Sequence, residues 1–64
     1  MVEKETVELF LNKLVRIERI IGGQRDFSRG KLIKVTDTDL VLNFNGDLQA
    51  YSLDSIISIR EVDG

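Results

Sequence analysis

The sequence predicts a mainly β fold: a small, five-stranded, bent antiparallel barrel preceded by an N-terminal α-helix. Three observations predict it. A strand-like run begins at Gly30-Lys31-Leu32 and passes through the polar turn Thr36-Asp37-Thr38-Asp39 into Leu40-Val41-Leu42-Asn43-Phe44. Asn45-Gly46 follows, a strong hairpin signal because both residues tolerate positive φ. An isoleucine-rich segment from Ile56 to Val62 then supplies a last strand.

Residues 1–64 make one domain, with a helix at about 3–12 and strands across about 14–62. In the helix, Val7, Leu11 and Leu14 fall at i, i+4 and i+7, and Leu9 and Phe10 widen the stripe. Glu3, Glu5 and Glu8 lie early, where the helix dipole favours acids. Asn12 suits the exit because asparagine tolerates the left-handed conformation.

Leu14 to Ile21 carries Val15, Ile17, Ile20 and Ile21, all suited to a strand. Gly22-Gly23 reads as a two-residue hairpin loop. That register sets Ile21 opposite Gln24, Arg19 opposite Asp26 and Arg16 opposite Arg29. Residues 24–35 form a long second strand whose parity breaks. Phe27 and Gly30 are three apart, and so are Leu32 and Val35, so a bulge or bend is expected near Gly30. Strand three is Leu40 to Phe44, with Leu40, Leu42 and Phe44 on one face. Strand four runs from about Leu48 to Leu53, Asp54-Ser55 turns a corner, and Asp63-Gly64 frays after strand five. The expected core is Val15, Ile17, Phe27, Leu32, Val35, Leu40, Leu42, Leu53, Ile56 and Ile59. Phe10 and Phe44 also fall where periodicity places core residues.

A chain this short buries only about 60% of its unfolded surface. Small domains usually add a disulfide, a metal or self-association. The sequence has no cysteine and no histidine, which excludes disulfides and ordinary zinc sites and leaves self-association. The same absences leave no conventional nucleophile–base pair, so an enzyme is not expected, and no cofactor. Asp37, Asp39 and Asp54 read as turn residues before they read as a hard-metal site. No stretch is long and apolar enough to cross a membrane, and no secretory signal opens the chain; a cytoplasmic protein is the expectation.

The net charge is −2, but its distribution is uneven. Residues 13–34 carry Lys13, Arg16, Arg19, Arg25, Arg29, Lys31 and Lys34 against Glu18 and Asp26. Residues 35–64 carry Arg60 against Asp37, Asp39, Asp47, Asp54, Glu61 and Asp63. This suggests one basic binding face or attraction between subunits, against the plainer reading of two solvated faces. Arg16 opposite Arg29 is unfavourable unless an anion lies between them, and a phosphate satisfies both guanidinium groups. Arg25, Lys31 and Lys34 extend the strip, and Tyr51 is the aromatic residue left to stack on a base.

This pattern resembles the Sm-like superfamily, which includes the Lsm proteins and Hfq, over essentially the whole chain. Gly30-x-Leu32, the acidic turn and Leu40-Val41-Leu42 are similar to the first Sm motif. Leu53-x-x-Ile56-x-x-Ile59 is similar to the second, and Leu9-Phe10-Leu11-Asn12 to the end of the Hfq helix. Phe27, Gly30-Lys31-Leu32, Asp37 to Asp39 and Leu53-Asp54-Ser55-Ile56 also resemble the C-terminal barrel of the ribosome maturation factor RimP. The resemblance implies an SH3-like barrel and a ring-forming homo-oligomer in which strand four pairs with strand five of the next subunit. It also implies RNA binding through a basic face, with Arg16, Arg29, Lys31, Lys34 and Tyr51 as candidates. The sequence departs from the superfamily at Asp39-Leu40-Val41, where the turn is one residue shorter, and at Asp54-Ser55, which replaces the Arg-Gly of the second motif. Tyr51-Ser52 echoes the Tyr-Lys-His of Hfq only weakly, so the familiar uridine pocket is not visible. The alternatives are a protein-interaction module, RimP-like or adaptor-like, with a ribosomal or other protein as partner, and a structural ring without RNA.

Overall fold

The computed structural model describes residues 2–62. It is mainly β: a short helix α1 (Lys4–Glu8), then β1 (Leu14–Ile21), β2 (Gln24–Val35), β3 (Asp39–Phe44), β4 (Asp47–Ser52), a 3-10 turn (Leu53–Ser55) and β5 (Ile56–Glu61). The strands form one antiparallel sheet in the order β4-β3-β2-β1-β5. Its edges are β4 and β5, and no pairing joins them among the described residues. The sheet nonetheless curls. Arg19 on β1 reaches Tyr51 on β4, with its guanidinium 4.3 Å from the ring centre, although β2 and β3 lie between those strands in the hydrogen-bonding order. The fraying expected at Asp63-Gly64 lies outside the described residues.

The hairpin signals set the register as expected. Gly22 and Gly23 have φ of 57° and 81°, and Asn45 and Gly46 have 54° and 89°. Such primed turns match the right-handed twist of the strands they join. The first hairpin accordingly pairs Ile21 with Gln24, Arg19 with Asp26 and Arg16 with Arg29. The second turn is braced by Asn43, whose Oδ1 accepts from the Gly46 backbone N–H at 2.9 Å. In the 36–39 turn Thr36 organises the backbone. Its Oγ1 accepts from the N–H groups of Thr38 and Asp39 at 3.3 and 2.9 Å. Asp37 instead accepts from Lys4 Nζ at 2.6 Å. That hydrogen bond and the attached charge attraction lower the Asp37 pKa and raise that of Lys4.

The helix is shorter than periodicity suggests. It ends at Glu8, and bonds from Phe10 N–H to Val7 O and from Lys13 N–H to Phe10 O continue as tight turns. Only Val7 of its stripe is buried; Leu9 is 74% exposed and Leu11 is also exposed. The physical reason is the docking that follows. Asn12, at φ 66°, gives its N–H to Leu32 O at 2.7 Å, and Leu32 N–H returns to Lys13 O at 3.0 Å. Those bonds fix the chain on β2 before another helical turn can form.

Val7, Val15, Ile17, Leu32, Leu40, Leu42, Leu53 and Ile56 make the core, with Phe10, Val35, Tyr51 and Ile59 packed against it. Burying one such side chain stabilises by about 1.5–3 kcal/mol. Two expected core aromatics lie elsewhere. Phe27 is 51% exposed, because the register sets it opposite Glu18 on the outer face. The expected irregularity lies between Leu32 and Lys34, beyond Gly30, so the parity from Phe27 to Gly30 is never corrected inward. Phe44 is exposed as well, since it ends β3 opposite Asp47, past the last core layer. Leu53 is buried as expected but in the 3-10 turn, held by its N–H to Thr38 O at 2.9 Å.

β2 has two partners. Gln24 to Lys31 pairs with β1, and Lys31 to Val35 pairs with β3. The strand passes from one to the other beside Gly30, which is buried and leaves little room for a side chain. A Cβ there would lie 3.0 Å from the Asn43 carbonyl oxygen and 3.2 Å from Leu42 Cβ.

Candidate anion-binding face

Directly opposed residues of antiparallel strands project from the same face. The register therefore assembles ordered rows on the outer face of β2, β1 and β5. One row is Arg29, Arg16 and Arg60, because Arg16 is opposite Arg29 on one side and Arg60 on the other. The next is Phe27, Glu18 and Ser58. Arg25, opposite Ile20, lies beyond it, and Lys31, opposite Leu14, lies behind the arginines.

All three arginines of the row are exposed, and none forms an ion pair among the described residues. Other basic residues of the block are neutralised. Arg19 meets Asp26 at 2.6 Å, Arg25 meets Glu18 at 3.1 Å and Lys13 meets Glu61 at 3.6 Å. Like charges at about 5 Å in water repel by about 1 kcal/mol. Aromatic rings offset part of this. The Arg16 guanidinium lies 4.4 Å from the centre of the Phe27 ring, and that of Arg29 lies 6.0 Å from Phe44. Such contacts contribute about 0.5–1 kcal/mol at exposed sites. A row of unpaired guanidinium groups is the arrangement an oxyanion neutralises best, through forked, charge-assisted hydrogen bonds.

Two shallow recesses flank this row. One, of about 250 Å³, is lined by Arg16, Glu18, Arg25, Phe27, Ser58 and Arg60. The other, of about 220 Å³, is lined by Arg16, Phe27, Ser28 and Arg29. Glu18 is the single carboxylate lining the first. Ser58 Oγ donates to its Oε1 at 3.3 Å. Its Oε2 is shielded from solvent and takes no hydrogen bond, although Arg25 Nη1 lies 3.1 Å away.

The structure brings together only some of the sequence candidates. Arg16 and Arg29 are neighbours, and Lys31 follows two residues along the same outer face. Lys34 lies beyond the bulge, opposite Val41, about 16 Å along the strand from Arg29. Tyr51 is half-buried against the core under Arg19 and belongs to the inner side of the sheet. Sequence reading missed Arg60, which sits in an acidic block and becomes a neighbour only when β5 returns to β1. It also missed Phe27 as a surface aromatic, although its opposition to Glu18 follows from the Gly22-Gly23 register. Asp37, Asp39 and Asp54 do not converge: among the described residues no group of three or more acidic side chains could hold a metal ion. No protein-family model, curated protein or solved structure matches the chain.

Proposed function

We propose that the chain is a small nucleic-acid-binding module that holds single-stranded RNA by its phosphates along Arg29, Arg16 and Arg60. The observation that carries this reading is the unpaired three-arginine row beside an exposed phenylalanine. Phosphates supply the missing counter-charge, and a ring next to the row offers a surface on which a base stacks. The acidic side chains of β4 and the following turn, Asp47 and Asp54, disfavour the polyanion elsewhere and confine it to this face.

Titration of labelled uridine-rich and adenosine-rich oligomers at low salt tests the reading. Binding should fall with salt, with a logarithmic slope of about −0.7 per phosphate neutralised on a single strand. Arg16→Ser with Arg29→Ser should weaken binding about tenfold or more and flatten that slope, with no loss of thermal stability. Adding Arg60→Ser should flatten it further. Absence of binding to either oligomer at high micromolar protein would replace this reading with a protein-interaction module.

The free strand edges favour assembly as the second part of the proposal. β4 and β5 both end the sheet, and each exposes an apolar side chain: Leu48, 61% exposed, and Ile57. Residues 48–53 of one copy pairing with 56–61 of the next would remove both edges and set the arginine rows around one ring, as the Sm-like reading of the curled sheet expects. Ile57 has no register partner in β1, so Ile57→Pro spares the ladder within the chain. Sedimentation should show a closed oligomer for the native chain and a folded monomer for this variant. A native chain that sediments as a monomer at every concentration refutes the assembly.

A further inference from the structure

We infer that the recess between β1, β2 and β5 is a guanine subsite, in which Glu18 accepts the Watson–Crick edge of a base stacked on Phe27. The inference rests on the reading of the arginine row as a phosphate site. It is carried by a second row, Phe27, Glu18 and Ser58, lying directly alongside that one.

The two rows are two residues apart along the strands, or about 7 Å. That separation is comparable with the distance from a nucleotide's phosphate to its base. A phosphate on Arg16 and Arg60 therefore places its base over the second row. There the chemistry changes from cationic to mixed: an aromatic ring, a carboxylate and a hydroxyl. An aromatic ring accepts any base, but an ionised carboxylate only accepts hydrogen bonds. Guanine is the base that presents two adjacent donors, N1–H and the 2-amino group, to such a pair of oxygens. Uracil presents one donor between two carbonyl acceptors, which a carboxylate repels.

Glu18 is suited to this role. Its side chain is 17% exposed, and Ser58 fixes one oxygen by donating to it at 3.3 Å. The other oxygen faces Arg25 at 3.1 Å without a hydrogen bond. Arg25 covers it as a 71% exposed side chain, held by a surface ion pair of small value. Swinging Arg25 aside uncovers an oriented carboxylate at modest cost and frees a fourth guanidinium for the ligand.

The test compares four labelled oligouridines of one length, uniform or with a single central guanosine, inosine or cytidine. The native chain should bind the guanosine oligomer about tenfold more tightly than the uniform one. Inosine, which keeps N1–H and lacks the 2-amino group, should fall between them. Glu18→Gln should erase the guanosine preference, so that the guanosine and uniform oligomers bind the variant alike. The inosine comparison needs no variant, so it decides even where Glu18→Gln is poorly folded. Equal binding of all four oligomers overturns the guanine subsite and leaves the phosphate row standing. Binding of none overturns the phosphate row and the subsite with it.

Discussion

Leu42→Ala is expected to lose the cooperative urea transition of the isolated chain at 25 °C. Leu42 is 1% exposed and lies opposite Leu32 on β2 and Gln49 on β4, in the middle of the sheet. Truncating a buried leucine costs about 2–5 kcal/mol, the lost transfer energy plus the cavity left behind. A core in a domain of this size rarely supplies more than about 3–5 kcal/mol. The loss and the total are therefore comparable, and the variant should be largely unfolded unless self-association supports it. Leu48→Ala is the control, since Leu48 is exposed on the same hairpin and a surface change shifts stability by about 0.5 kcal/mol or less. Circular dichroism across a urea titration compares them. Equal midpoints for the two variants would show that Leu42 is not in the core.

Gly30→Val should be nearly as damaging, for a reason that is not hydrophobic. At Gly30 the nearest atoms to an added Cβ are the Asn43 carbonyl oxygen and carbon, at 3.0 and 3.2 Å. These belong to the backbone of β3, which cannot rotate away as a flexible side chain would. Alanine needs a shift of a few tenths of an ångström there. It also gains about 0.4–1 kcal/mol by restricting the unfolded chain, so its net effect is small. Valine adds two methyl groups to the same gap, and overpacking of this kind costs about 1–3 kcal/mol. The expected order of urea midpoints is glycine, then alanine close behind, then valine well below. A valine variant as stable as the native chain would refute the close approach of β2 and β3.

Much of the fold was legible because its signals are local. The Gly22-Gly23 loop fixes the β1–β2 register from the sequence, and with it Arg16 opposite Arg29. Val15, Ile17, Leu32, Leu40, Leu42, Leu53 and Ile56 alternate or space as buried residues should, and they are buried. Phe27 was misplaced because its size suggests burial, whereas its register against Glu18 sets it outward. The helix was read too long because periodicity cannot sense the backbone of Leu32 taking the N–H of Asn12. Arg60 was invisible for a more general reason. Sequence blocks of charge follow chain order, and β5 joins the sheet beside β1, far from it in the chain.

That topology also divides the basic face by how it is made. β1 with β2, β2 with β3 and β3 with β4 are neighbours in sequence as well as in the sheet. The β1–β5 pairing alone among these joins distant parts of the chain. Local pairings close small loops and form fast, while a distant pairing meets its loop-closure entropy before its contacts repay it. Arg16 and Arg29 thus meet through a single hairpin, whereas Arg60 and Ser58 join them only through the distant β1–β5 pairing. Opening of the last strand would take the third arginine and the brace on Glu18 away together, while the first pair stays in place. Ligand held across that seam would act as a clasp, tying the sheet's most distant pairing to a local one.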